Sequence, residues 1–65
     1  MLPENGGRQL AEERRKEVFR AIVDAQDREM GVVESRRMAI QQFGLNESQI
    51  LLIEREGMDN NWPPL

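Results

Sequence analysis

Side chains that do covalent chemistry are scarce in this sequence. It holds no His, Cys, Tyr or Thr, its only hydroxyls are Ser35 and Ser48, and its only lysine is Lys16. A serine nucleophile needs a base within hydrogen-bond reach, and Lys16 falls on a different predicted helix from either serine. Carboxylates such as Glu47 and Glu54 could pair for acid–base work. That work needs a desolvated cleft, which three short helices hardly form. Without Cys or His the usual zinc sites are excluded, and the Asp59–Asn61 cluster lacks the alternating spacing of a calcium loop. The chemistry therefore predicts no enzyme, no catalytic residue, no cofactor and no metal. What remains is recognition. Asn46 and Gln49 carry amides that can pair with adenine, and Glu47 can accept from cytosine. Arg36, Arg37 and Arg55 can meet phosphates.

Positioning such groups falls to a small scaffold. A chain of 65 residues makes one domain, and it buries only about 60% of the surface that its unfolded form exposes. No disulfide can reinforce it. The formal charge is −3 and the sequence pI about 4.9, so contact with nucleic acid would need a local basic patch. From Val32 to Leu65 there are three bases against five acids, and only the Arg36/Arg37 pair could anchor a phosphate backbone. The longest purely apolar run, Ile50–Ile53, is far too short for a membrane span. Lack of cysteine is compatible with a reducing, cytoplasmic setting.

The pattern predicts an all-α fold, a small three-helix bundle. Residues 1–7 contain Pro3, Asn5, Gly6 and Gly7 without apolar periodicity and read as a flexible N-terminal arm. Residues 8–57 read as the helical domain. Helix-forming residues run unbroken from Arg8 to about Arg28, with Val18, Ile22 and Ala25 on one stripe and Phe19 and Ala21 beside it. Gly31 is expected to end this helix in a left-handed conformation. A second helix is predicted over 33–43, with Val33, Ala39, Ile40 and Phe43 on a shared face. Gly44 suits its end, and Asn46 is a good N-cap for a third helix that Gly57 would stop near Glu56. Residues 58–65 form an extended tail, in which Pro63 and Pro64 favour polyproline geometry. Trp62 is expected to fold back and cap the core, because one Trp buries so much area. The alternative is an exposed docking peptide.

The two later helices carry a more specific signature. Ile40 precedes Gly44 by four residues, Leu45 follows it, Ile50 lies six beyond it and Ile53 three further. Phe43, Leu45, Ile50 and Ile53 should point inward and lock the helices at a steep angle. The stretch "AIQQFGLNESQILLIEREG" resembles the helix-turn-helix of bacterial sigma factors, matching at Phe43, Gly44, Leu45, Ile50, Ile53 and Glu54. This resemblance implies a helix-turn-helix core and a transcription-associated protein that reads DNA with its third helix. Asn46, Ser48, Gln49 and Leu52 would be contacts, and Arg36, Arg37 and Arg55 would touch phosphates. Such units usually place Ala four before the Gly. Here Ile40 stands there and Ala39 one earlier, which predicts a wider crossing.

The outer side of that helix also carries Leu51 and Leu52. One or both are expected to turn inward under Trp62 or the first helix. If exposed, they mark a contact with another protein or a second copy, that is, a homodimer. A second, shorter resemblance is to ubiquitin-associated domains, through Met30 and Gly31, with Val32 where those modules carry an aromatic residue. It implies a protein-binding surface built from Met30, Val32, Leu51 and Leu52, and the acidic balance with the Leu51/Leu52 pair makes the alternative function an acidic interaction module, an adaptor or a homodimer, that uses the third helix and the Met30–Gly31 loop.

Overall fold

A computed structural model describes residues 10–65. The expected flexible arm, residues 1–7, lies outside the described residues. Three helices follow in order: α1 Glu12–Asp27, α2 Val32–Phe43 and α3 Glu47–Asp59. Each packs on the other two, giving an all-α three-helix bundle.

α1 begins at Glu12, inside the predicted start, because Ala11 is already extended at φ −59 and ψ 150. The turn before it is drawn onto the bundle instead. Leu10 packs against the core, and its carbonyl accepts from the Arg15 guanidinium. Glu12 and Glu13 in the first turn suit the positive end of the helix dipole. Val18, Phe19, Ile22 and Ala25 form the buried stripe.

A single device ends all three helices. In each, one residue takes a left-handed conformation and the residue after it donates its N–H back to a carbonyl five positions earlier. Glu29 has φ 70 and Met30 donates to Ala25 at 3.1 Å. Gly44 has φ 68 and Leu45 donates to Ile40 at 3.1 Å. Asn61 has φ 52 and Trp62 donates to Gly57 at 2.9 Å. This is the Schellman closure, and it satisfies carbonyls that a helix end would otherwise orphan. An apolar residue follows each left-handed position, so the closure also turns Met30, Leu45 and Trp62 back toward the bundle.

Gly44 thus ends α2 as its sequence suggests, but Gly31 and Gly57 do not end helices. Gly31 sits at φ −66 and precedes α2, while Glu29 takes the left-handed position at the end of α1. Gly57 lies buried within α3, which continues to Asp59. A Cβ built on Gly57 would stand 2.3 Å from Cδ1 of Phe19. The glycine is there because the Phe19 ring occupies the space that a side chain would take. Trp62 meets that same ring edge-on, with centroids 6.1 Å apart, and is itself buried. After Trp62 the chain turns, with the Leu65 N–H donating to the Trp62 carbonyl at 2.9 Å, in place of polyproline geometry.

The buried face of α2 also differs from expectation. Ala39 is fully buried, and Ile40 and Phe43 pack at the core margin. Val33 is exposed, and its expected place inside goes to Ser35, which is completely buried. Ser35 lies one turn before Ala39, on the stripe that faces the bundle. Its hydroxyl is satisfied on both sides. It accepts from Gln26 Nε2 at 3.1 Å and donates to the Val32 carbonyl at 2.9 Å.

Two glycine substitutions should move stability in opposite directions. Gly57→Ala should cost about 1–3 kcal/mol through overpacking against Phe19, although Ala is the better helix former. Glu29→Gly should gain up to about 1 kcal/mol by relieving the left-handed strain on a residue with a Cβ. Urea denaturation of both variants checks the pair.

Candidate functional site

The turn between α2 and α3 fixes what α3 presents. Gly44 supplies the positive φ, and Leu45 packs against the core cluster that includes Ile50. Asn46 then caps α3. Its Oδ1 accepts from the Gln49 N–H at 2.8 Å, and Gln49 Oε1 accepts from the Asn46 N–H at 2.9 Å. Sequence reasoning read only the Asn46 half of this capping box, although Gln three residues later signals the other. The box commits to the helix end the two amides singled out as base-reading groups.

Ile50, Ile53 and Gly57 define the buried side of α3. The opposite arc carries Glu47, Ser48, Leu51, Leu52, Arg55, Met58 and Asp59, all exposed. Leu51 and Leu52 do not turn inward: they are 42% and 67% exposed, and Met58 is 66% exposed. The physical reason is that the space under Trp62 is already filled by Phe19 lying on Gly57. That leaves no gap for a leucine from the far side of the helix.

The arginines divide. Arg36 is engaged by Glu54, its Nε donating to Oε2 at 2.9 Å and its Nη2 to Oε1 at 2.8 Å. This two-pronged bond fits the planar guanidinium to a carboxylate. It raises the Arg36 pKa above its ordinary range, with partial burial opposing and the nearby charges of Glu54 and Glu47 assisting. Arg15 makes the equivalent bond to Glu56, at 2.7 and 2.8 Å, and is shifted upward for the same leading reason. One ion pair thus ties α2 to α3, and the other ties α1 to α3. Sequence reasoning missed both, because 18 and 41 residues separate the partners and no local pattern links them. Arg37 and Arg55 are exposed and make no ion pair among the described residues.

Beside the Arg36–Glu54 bond runs a shallow groove between α2 and α3, lined by Val33, Arg36, Arg37, Ile40 and Glu47. It joins the exposed arc of α3 at Glu47. The Met30–Gly31 loop lies at the end of α1, with Met30 half-buried and Val32 exposed. Among the described residues no group of three or more Cys, His, Asp or Glu could hold a metal ion, and no helix is long and apolar enough to cross a membrane.

Comparison with known proteins adds no relative: no family model, curated protein or solved structure matches the chain.

The Arg36–Glu54 bond should appear as energetic coupling. Glu54→Ala should cost more stability in the native background than in an Arg36→Ala background. Equal losses in a double-mutant cycle would show that the two side chains act independently.

Proposed function

We propose that this chain is a non-enzymatic protein-recognition module that uses the exposed arc of α3. The observation that carries the reading is that apolar residues stand exposed on that helix while three of the polar groups suited to DNA, on α2 and at the start of α3, are engaged within the fold. Leu51, Leu52 and Met58 stand exposed together. Meanwhile Asn46 and Gln49 cap the helix, and Arg36 is held by Glu54. An apolar patch rimmed by charges suits a protein surface better than a polyanion. The acidic balance of the chain agrees, since phosphate neutralisation requires cations in excess.

A second reading, DNA recognition by the same helix in a transcription-associated protein, is favoured by two observations. The left-handed Gly44 turn with the Asn46 cap fits the sigma-factor-type resemblance, and Arg37 and Arg55 remain exposed. Under that reading Ser48 and Leu52 would face bases.

Salt separates the two readings. Contacts to phosphate release counterions and weaken steeply as salt rises. Apolar contacts between proteins are nearly indifferent to it. Fluorescence anisotropy of the labelled protein against random duplex DNA should show no binding even at low salt. Binding that collapses as salt rises would overturn the protein-recognition reading in favour of DNA.

A further inference from the structure

We propose that the partner recognised by α3 is a second copy of this chain, the two α3 helices packing antiparallel about Leu51. The inference rests on the protein-recognition reading and gives it a specific occupant.

Charge sets the direction of pairing. Glu47 lies four residues before Leu51 and Arg55 four residues after it, both on the exposed arc. Each is thus displaced along the helix by about 6 Å in opposite directions. When two such helices run antiparallel with Leu51 at the two-fold axis, each Arg55 comes level with the partner's Glu47. Two ion pairs then bracket the apolar centre. Parallel pairing would instead set Glu47 against Glu47 and Arg55 against Arg55. Neither residue makes an ion pair within the chain among the described residues, although Glu47 also stands near enough to Arg36 to favour its charged form.

The apolar residues follow the same register. Leu51 meets its own copy, with Leu52 beside it. Met58 lies seven residues after Leu51, and Gly44 seven before it. Because α3 begins at Glu47, antiparallel pairing carries Met58 past that residue of the partner, toward the turn that holds Gly44. That turn is open: a Cβ built on Gly44 would meet nothing within 4 Å. The half-exposed Leu45 adjoins it. An exposed Met thus finds both space and an apolar neighbour, and by symmetry it does so twice. Self-complementarity of a single patch is what a two-fold interface requires.

The interface is small. A single helix face falls below the roughly 800 Å² per partner of a stable complex. Association should accordingly be weak and appear only between micromolar and millimolar protein.

Sedimentation equilibrium of the full chain across that range tests the proposal, with circular dichroism confirming that each variant keeps its helices. The native chain should pass from monomer to dimer. Arg55→Glu and Glu47→Arg should each weaken self-association by about tenfold or more, since each creates two like-charge contacts. Mixing the two variants should restore association between unlike chains, because every pair across the axis is again opposite in sign. Met58→Asp, which leaves both charged residues in place, should also weaken the dimer. A native chain that stays monomeric to millimolar concentration would overturn the proposal. So would a mixture that associates no better than either variant alone. These failures remove the second copy as the partner, whereas salt-sensitive DNA binding would remove the protein-recognition reading beneath it.

Discussion

The Phe19 ring lying against the bare backbone of Gly57 sets the geometry of this bundle. A Cβ at that position would overlap the ring, so α1 and α3 approach as closely as they do only because α3 carries no side chain there. Trp62, T-shaped to that ring, then closes the contact. The ring, the glycine and the indole come from α1, α3 and the tail, so one cluster gathers the beginning and end of the described chain. For a protein this small, that concentration of aromatic area stands in for the disulfides and metals that its composition denies it.

The placement of Trp62 depends in turn on how α3 ends. Asn61 in the left-handed region lets the Trp62 N–H reach the Gly57 carbonyl, the same residue whose missing side chain admits Phe19. Gly57 therefore serves twice. The polar links between helices complete the frame. Gln26 to Ser35 joins α1 with α2, Arg15 to Glu56 joins α1 with α3, and Arg36 to Glu54 joins α2 with α3. Each helix pair thus has at least one directional contact beside its apolar packing, and α1 and α2 also share the Arg14 guanidinium over the Phe43 ring. The two bidentate ion pairs lie only two residues apart on α3, at Glu54 and Glu56.

Periodicity made much of the fold legible. The stripe of Val18, Ile22 and Ala25, the turn at Gly44 and the cap at Asn46 could all be read locally. The glycines were ambiguous, because a glycine before a helix, at its end or beneath an aromatic ring looks the same in sequence. Gly31, Gly44 and Gly57 occupy one each of those roles. Ser35 was hidden by its polarity. Its hydroxyl enters the core only because Gln26 from another helix and the Val32 carbonyl satisfy it. At the candidate site, exposure of Arg37, Ser48 and Arg55 followed from their residue types. The engagement of Arg36 with Glu54 did not, since it exists only once α2 and α3 are packed. The same holds for Leu51 and Leu52, whose exposure follows from the filling of the core by residues elsewhere.

α3 is held by Ile50, Ile53, Gly57 and Trp62, which leaves its two leucines exposed. Urea denaturation of a Leu51→Ala/Leu52→Ala double variant, at concentrations low enough to exclude association, tests this most directly. Leucines outside the core should together cost less than about 1 kcal/mol. A loss of about 4 kcal/mol or more, the scale of two buried leucines cut to alanine, would contradict it and return both side chains to the core.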